Sequence, residues 1–269
     1  MDKTMKTEQI MAMLSKGMIE PKISVVGCGG AGNNIVNSVY WNCKNSVETI
    51  AVNTDEKKLQ SIDAHKKILI GKDVTYGKGA GGFPEVGEYC AECARETLRE
   101  VLKGSDIVFI IAGMGGGTGT GAAPVVAEVA KELDAVTFAI AINPFSHEKE
   151  CRRKAAEGIK RLKEVAETTL VLDNDKLLEI AGDIPVWESF SIMERSIIKI
   201  IESVCTKITE SFITQIASDI EEMLEDIDEE EAEELSQKKI PEAELIHAAV
   251  GHGSNTDPFG DSNAKFIPN

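Results

Sequence analysis

The sequence of 269 residues lacks the features of several large protein classes. No apolar run approaches the ~20 residues that a transmembrane helix needs. Residues 1–20 are rich in methionine but lack the charged and then apolar pattern of a secretory signal, so we expect them to form a short amphipathic helix on a cytoplasmic protein. A nucleic-acid partner is not expected either, because a net charge of −16 argues against the extended basic surface that nucleic-acid binding needs.

Basic residues are missing altogether from one long segment. Residues 219–234 contain eleven acidic side chains and no basic one, so the remainder of the chain carries a net charge of about −5. An acidic run of this kind is typical of a solvated helix end or tail. Glycine, asparagine, serine and proline become frequent beyond it, and we predict an acidic and flexible tail over residues 227–269.

The six cysteines lack the arrangement of a disulfide framework or a zinc site. They are scattered through predicted strands and helices, which is typical of reduced thiols in the cytosol. Cys90 and Cys93 form a Cys-x-x-Cys pair, but residues 85–102 have the pattern of one helix and no second Cys or His pair lies near them. Since zinc needs four ligands, we predict helical packing for these thiols and no metal site.

What the chain does contain is a series of short apolar runs, most of them followed by a helical pattern. Strands that alternate with helices predict an α/β fold, with a mainly parallel sheet covered by helices on both faces in a Rossmann-like arrangement. In such a sheet, ligands bind at the carboxyl ends of the strands. The predicted strands are residues 23–26, 49–52, 67–70, 106–111, 136–142 and 168–172.

Glycine-rich loops follow these predicted strands. Residues 115–121 read GGGTGTG, with five glycines and two threonines between an apolar run and a helix that we predict over residues 124–133. A backbone without Cβ atoms lets main-chain N–H groups approach an anion closely. A second glycine loop follows the first strand, and a third cluster contains Gly79, Gly81 and Gly82.

The first loop by itself permits another interpretation. Gly27, Gly29 and Gly32 fit G-x-G-x-x-G, and Asp55 lies 23 residues beyond Gly32, which is the pattern of an NAD(P)-binding Rossmann enzyme. One glycine-rich turn suffices for a pyrophosphate, so this alternative leaves GGGTGTG without a ligand. Three loops fit a longer phosphate chain, and a Walker P-loop is excluded because no Gly-Lys-[Ser/Thr] follows.

In these segments the chain resembles the tubulin/FtsZ superfamily of GTP-binding cytoskeletal proteins, and FtsZ of the archaeal type in particular. GGGTGTG is the signature loop of that family, and the resemblance continues in order over residues 22–209 with little insertion. A match to one loop would be unspecific, whereas six in sequence are very specific. The other segments are the first glycine loop, NTD at 53–55, GAGGFP at 79–84, NPF at 143–145 with the Glu148/Arg152 pair, and DNDKLLEI at 173–180.

The resemblance implies that the chain binds GTP or GDP together with Mg²⁺. Backbone N–H groups of the glycine loops would bind the phosphates, and the Thr118 and Thr120 hydroxyls would add donors. Glu148 and Arg152 would lie at the ribose. The nucleotide-binding residues implied in this way are Gly29, Gly30, Ala31, Gly32, Asn33, Asn53, Gly81, Gly82, Gly115, Gly116, Gly117, Thr118, Gly119, Thr120, Gly121, Pro144, Glu148, Arg152, Asn174, Phe190 and Glu194.

Choice of the base depends on the stretch ESFSIMERS. Guanine presents two adjacent N–H donors that adenine lacks, so a carboxylate facing that edge selects guanine. By the resemblance, Phe190 would stack on the base and Glu194 would accept from this edge, while Asn33 and Asn174 would hold the remaining edge and the sugar. The family has Asp where this chain has the longer Glu194, so the register of the base differs.

The chain departs from the family after its central helix. There FtsZ has a glycine-containing loop with two acidic residues that enters the nucleotide site of the next subunit and activates water. Here Ser211 stands at the glycine and Ile216 at the first acid, which leaves Asp219 as the candidate catalytic residue. Apolar residues recur with a helical period from Phe190 to Ile216, without glycine or proline, so we predict one long helix over residues 188–226.

The family's further α/β domain of about a hundred residues has no counterpart in the remaining sequence. We therefore expect a GTP-binding α/β domain over residues 21–187, the long helix and the tail. The predicted function is an FtsZ-like guanine-nucleotide-binding protein of the cytoskeleton or of cell division, with weak or partner-dependent hydrolysis. A second copy or a partner protein would bind the apolar stripe at residues 197–224. Alternatives are a self-sufficient polymerising GTPase and an NAD(P)-binding enzyme.

Overall fold

The computed structural model describes residues 21–43, 45–182 and 184–225. Six strands form one sheet in the order β3-β2-β1-β4-β5-β6, and every neighbouring pair is parallel. All the strands predicted from the apolar runs are confirmed, with ends that differ by at most two residues. The strands are β1 (Ile23–Cys28), β2 (Glu48–Asn53), β3 (Lys66–Leu69), β4 (Ile107–Gly113), β5 (Val136–Asn143) and β6 (Thr168–Asp173).

Helices connect the strands and cover both faces of the sheet. None of the described helices is long and apolar enough to cross a membrane. The predicted segments 1–20 and 227–269 lie outside the described residues. The described helices are α1 (Gly29–Cys43), α2 (Glu56–Gln60), α3 (Lys72–Thr75), α4 (Pro84–Cys93), α5 (Arg95–Leu102), α6 (Thr118–Glu132), α7 (Lys149–Val165), α8 (Asn174–Ala181) and α9 (Val186–Glu225).

Two hydrophobic cores lie on opposite faces of the sheet. Successive side chains of a strand point to opposite faces, so Val25 packs in one core and Val26 in the other. The core that contains Val26 packs against α4, α5, α6 and α7. The core that contains Val25 packs against α1, α2 and the first part of α9. The parallel sheet is thus buried on both sides, as the continuous apolar strands predict.

Helix α6 begins at Thr118, so the prediction of a helix start at Pro124 was wrong. The glycine loop itself forms the first turn, with Gly121 N–H donating to the Gly117 carbonyl at 3.0 Å. Pro124 lies inside the helix. A proline has no N–H for the carbonyl four residues earlier, which here belongs to Thr120. The small residues of this turn pack closely, and this packing determines where the helix starts. The helical pattern in the sequence contains no information about such packing.

The segment predicted as one helix over residues 85–102 forms two helices, α4 and α5, that meet at Ala94. Cys90 is buried in the core, whereas Cys93 is exposed. No group of three His, Cys, Asp or Glu side chains able to hold a metal occurs among the described residues. At the end of β1, burial raises the pKa of the Cys28 thiol to about 12, which keeps it protonated at neutral pH.

Helix α9 is continuous from Val186 to Glu225, which confirms that the chain passes through the expected loop position as a helix. Its apolar stripe packs largely against the sheet: Ile197 and Ile201 are fully buried, and Val204 and Ile208 pack against the same core. The prediction that residues 197–224 are available to a partner is therefore wrong for residues 197–208. That part of the stripe is already packed against the hydrophobic core of the chain's own domain.

The contacts divide the chain into two units. Pro21–Glu210 is one compact unit, which contains the sheet, both cores and the first part of α9. Residues 211–225 belong to the second unit, and helix α9 crosses the boundary between the two. The domain limits that the sequence indicates, 21–187 for the GTP-binding domain and 188–226 for the long helix, remain predictions.

The contact between α1 and β4 yields a prediction about stability. A Cβ on Gly32 would lie 2.2 Å from the main-chain oxygen of Ile111, whereas a Cβ on Gly30 would meet nothing closer than 3.9 Å. We expect Gly32→Ala to lower the free energy of unfolding by about 2–4 kcal/mol, because backbone must move apart. Gly30→Ala, in the same helix, should change it by less than about 1 kcal/mol. Urea unfolding followed by circular dichroism tests this, and equal midpoints for the two variants would contradict it.

Candidate functional site

A cavity of about 990 Å³ opens at the carboxyl ends of the strands. It lies where the strand order reverses, between β1 and β4, because the loops after these two strands lead to helices on opposite faces of the sheet. The segments that follow β2, β3, β5 and β6 and one face of α9 complete its wall. All three predicted glycine clusters contribute residues to this cavity.

The glycine loops approach one another so closely that a Cβ on certain glycines would clash with the neighbouring loop. A Cβ on Gly29 would lie 2.8 Å from the main-chain nitrogen of Gly119, and Gly29 also has a positive φ of 73°. A Cβ on Gly117 would come within 2.7 Å of the Ala80 Cβ, which brings the third cluster against the second. Side chains are therefore excluded at these points, and main-chain groups form this end of the cavity.

The two threonines of GGGTGTG have different surroundings. Thr118 lines the cavity, and its hydroxyl shares a hydrogen bond of 2.7 Å with the hydroxyl of Thr54. The Thr120 hydroxyl accepts a hydrogen bond of 2.8 Å from the Gly115 N–H, and Thr120 is not on the cavity wall. Thr120 therefore holds the loop in shape, whereas Thr118 faces the space that the loop encloses.

The two neighbouring asparagines of α1 also differ. Asn33 is buried, and its amide donates to the main-chain oxygens of Gly27 at 2.7 Å and Gly29 at 3.2 Å while accepting from the Asn53 amide at 2.8 Å. All these contacts hold the first glycine loop, and Asn33 does not line the cavity. Asn34, which the sequence analysis did not single out, does line it.

Carboxylate and amide groups line the opposite end of the cavity. Glu194 of α9 accepts a hydrogen bond of 3.2 Å from the Ser38 hydroxyl, and Phe190 lies one turn earlier on the same helix. Asn174, at the start of α8, is only 8% exposed, and its side-chain oxygen has no hydrogen-bond partner among the described residues. A buried acceptor without a partner costs free energy, so this oxygen is suited to a donor supplied by a ligand.

Arg152 does not line the cavity but contacts residues that do or that adjoin its wall. Its guanidinium donates to the Pro144 carbonyl at 3.1 Å and forms ion pairs with Asp173 at 2.6 Å and Asp175 at 3.1 Å. Glu148 does line the cavity, and its carboxylate accepts a 3.0 Å hydrogen bond from the Phe145 N–H. Only the acidic member of the predicted Glu148/Arg152 pair therefore reaches the cavity.

The structure brings most of the predicted site residues to one cavity. The lining residues are Gly30, Ala31, Asn53, Gly81, Gly82, Gly116, Gly117, Thr118, Gly119, Pro144, Glu148, Asn174, Phe190 and Glu194. The predicted residues that are not on its wall are Gly29, Gly32, Asn33, Gly115, Thr120, Gly121 and Arg152. Asp219 belongs to the second unit, and its side chain is outside the described part of the structure.

Several lining residues were missed by the sequence analysis. Lys58 lies three residues beyond the NTD segment, and Lys78 directly precedes the third glycine cluster. The signal in the sequence that could have indicated both lysines is that they lie close to these segments. Phe145 belongs to the NPF segment, and its ring stacks on the His147 ring at a centroid distance of 5.4 Å. Met193 reaches the wall because it shares the inward face of α9 with Phe190.

Residues 22–182 match the family model described as Tubulin/FtsZ family, GTPase domain. The chain belongs to the tubulin/FtsZ family. It is 49% identical over 185 residues to cell division protein FtsZ 2 of Methanocaldococcus jannaschii, a match that covers 69% of this chain and 49% of the relative. Cell division protein FtsZ 2 of Halobacterium salinarum is 46% identical over 185 residues, with 69% and 47% covered. The chain thus spans about half the length of these curated relatives.

Solved structures of the family have the same fold. An empty FtsZ dimer from M. jannaschii matches with a TM-score of 0.67 and 40% identity, over 74% of this chain and 58% of that chain. CetZ2 of Haloferax volcanii, in a GTPγS-bound protofilament, matches with a TM-score of 0.61 and 26% identity, over 68% and 58%. These findings support the FtsZ-like interpretation over the NAD(P)-binding alternative.

The Arg152 cluster yields a prediction about pH. Burial acts to raise the pKa of Asp173, but the Asp175 N–H, the Asn143 amide and the Arg152 guanidinium outweigh it and hold that pKa below its ordinary value. The ionised carboxylate therefore stabilises the fold at neutral pH, and this contribution is lost as the pH falls through the lowered pKa. We expect Asp173→Asn to reduce the free energy of unfolding by about 1 kcal/mol at pH 7 and by progressively less below about pH 4.

Urea unfolding at several pH values measures this difference. Asp63→Asn, at an exposed aspartate, is the control and should show little effect at any pH. A destabilisation by Asp173→Asn that is the same at pH 7 and in acid would contradict the ionic explanation.

Proposed function

We propose that this chain binds GTP and GDP in the cavity, with the phosphates on the glycine loops and the guanine between Phe190 and Glu194. The observation that carries the proposal is the division of the cavity into two chemically different ends. One end consists of bare backbone with lysines beside it, and the other carries carboxylates and a buried amide oxygen without a partner. A nucleotide has a polyanion at one end and hydrogen-bond donors at the other, so it matches both ends in a single orientation.

The phosphate end would bind through main-chain N–H groups of the loops that contain Gly30 and Gly117. Helices α1 and α6 both begin at these loops, and the partial positive charge of a helix N-terminus favours an anion. Gly115, Thr120 and Asn33 contribute by holding the loops in shape. They are positioning residues in this proposal.

Mg²⁺ fits this end as an ion held largely by the nucleotide. Magnesium usually keeps several waters and takes one or two carboxylates together with substrate phosphates. Asp55 supplies a carboxylate beside the glycine loops, and no cluster of three potential ligands occurs in the described part of the chain. The ion would offset charge between the phosphates.

The base end would select guanine through its donors. Glu194 would accept from the adjacent N–H groups of guanine, and the ring of Phe190 would pack on the face of the base. The unpartnered oxygen of Asn174 supports one further donor from the ligand, and Asn34 replaces Asn33 as the α1 amide within reach. Glu148 would accept from the ribose, with Arg152 acting indirectly through the Pro144 carbonyl.

The nucleotide proposal predicts a specific preference. The purified chain should release GTP or GDP on denaturation, identified by chromatography, and should bind both more tightly than ATP in calorimetry. Glu194→Ala should cost about 1.5–3 kcal/mol of guanine-nucleotide affinity, because a charged hydrogen-bond acceptor is lost.

Glu188→Ala serves as the control, since Glu188 lies on the same helix but does not line the cavity. Copurification of NAD(H), or equal affinities for ATP and GTP, would refute the proposal. Equal losses for the Glu194 and Glu188 variants would refute the assignment of Glu194 alone.

We also propose that the chain acts in the cytoplasm in a cytoskeletal or cell-division process. The support is similarity to proteins described as cell division protein FtsZ and to CetZ2 in a protofilament. Within the apolar stripe predicted from the sequence, the candidate contacts with a second copy or a partner are Phe212 and Ile216, on the basis of their helical period alone. Residues 197–208 are not part of this proposal.

Hydrolysis should be very slow in the isolated chain. Orientation of a water beside the terminal phosphate needs a positioned polar group, and the segment where the resemblance places that group is helical in this chain. We expect turnover far below that of ordinary FtsZ, measured as phosphate release at several protein concentrations with light scattering on the same samples.

A rate per molecule that rises with concentration would identify a second copy as the activating partner. Fast turnover that is independent of concentration and abolished by Asp219→Ala would show instead that the chain is self-sufficient. In that case the residues around Asp219 would form a catalytic loop in place of the C-terminal part of α9.

A further inference from the structure

Two lysines at the phosphate end of the cavity have no part in the contacts described so far. Lys58 lies on α2 and Lys78 directly precedes the third glycine cluster, and both line the cavity. The Lys58 ammonium is close to the first glycine loop, since its Nζ would lie 3.9 Å from a Cβ placed on Gly30. Gly30 is itself within the loop that meets the second glycine loop, so Lys58 stands beside the place where both loops present their backbone.

The segments that carry the two lysines are joined by backbone hydrogen bonds. Asp55 and Lys78 form an isolated antiparallel bridge. The Glu56 N–H donates to the Gly77 carbonyl at 3.0 Å, and the Gly79 N–H donates to the Thr54 carbonyl at 3.1 Å. These bonds place the two lysine-bearing segments side by side on the same part of the wall.

Neither ammonium group is paired with a carboxylate in the described part of the chain. Other lysines are paired there, such as Lys66 with Glu48 at 2.7 Å and Lys154 with Glu150 at 3.6 Å. The nearby Asp55 carboxylate accepts from the main-chain N–H of Lys58 at 3.1 Å, as the cap of α2. The two lysines thus bring two positive charges to this end of the cavity, against the single negative charge of Asp55.

We propose that Lys58 and Lys78 bind the terminal phosphates of the nucleotide and so set the preference for triphosphate over diphosphate and monophosphate. The inference rests on the nucleotide binding proposed above and extends it to residues outside the glycine backbone. An ammonium is a compact charge with three donors on a flexible stem, so it reaches phosphate oxygens without a fixed geometry. Both lysines are exposed, and solvent and salt will weaken each contact.

Calorimetry on the full chain with GMP, GDP and GTP in the presence of Mg²⁺ tests the proposal. Lys58→Gln and Lys78→Gln should each weaken GTP binding by about three- to tenfold, and the double variant by about the product of the two. The loss should be smaller for GDP and within about twofold for GMP. The difference in GTP affinity between wild type and double variant should shrink at high salt.

Lys57→Gln is the matched control, because Lys57 precedes Lys58 on α2 but does not line the cavity. Thermal unfolding of each variant shows whether the fold is intact. Equal losses for all three nucleotides, an equal loss in the Lys57 variant, or unchanged GTP affinity in the double variant would each overturn the assignment to the terminal phosphates. If wild type binds none of the three nucleotides, the proposed function itself fails, a result distinct from these.

Discussion

Close approach of main chain to main chain at the ends of β1 and β4 is the constraint on which the cavity depends. Gly29 lies against the backbone of Gly119, and Gly32 lies against the main-chain oxygen of Ile111, with no room for a Cβ at either position. This contact lets α1 and α6 begin side by side on opposite faces of the sheet, so two helix N-termini and two bare loops converge. The proposed anion site would therefore be formed mainly by backbone geometry.

The second requirement is that α9 packs on the sheet. Burial of Ile197 and Ile201 in the core fixes the rotation of this helix, and that rotation turns Phe190 and Glu194 toward the cavity. The same apolar stripe that suggested a surface for a partner is thereby the anchor of the proposed base contacts. Stability of this face of the domain and the proposed selection of the base would thus depend on the same helix.

Charge divides the site along its length. Lys58, Lys78 and Asp55 stand with the glycine loops, which gives this part of the cavity a net positive charge, whereas Glu148 and Glu194 line the part near α9, although the chain as a whole is strongly acidic. The electrostatic potential in the cavity therefore depends mainly on the charged side chains that line it, because charges elsewhere on the surface are screened by solvent. Arg152 does not line the cavity. Its ion pairs with Asp173 and Asp175, together with its hydrogen bond to the Pro144 carbonyl, hold in place the loop that carries Pro144.

The sequence by itself determined the strands, the parallel sheet, the three glycine loops and the continuity of α9, because each leaves a local pattern of apolar period, bare backbone or missing helix breakers. Only the tertiary structure determined where α6 starts and that Asn34, and not Asn33, lines the cavity. It also determined that Arg152 does not line the cavity and that Lys58 and Lys78 do. The physical reason is that these features depend on which groups meet across the fold. The Asn33 amide accepts from Asn53 of the next strand, and the Arg152 guanidinium pairs with Asp173 and Asp175. These partners are distant in the sequence, so no local pattern reports the contacts.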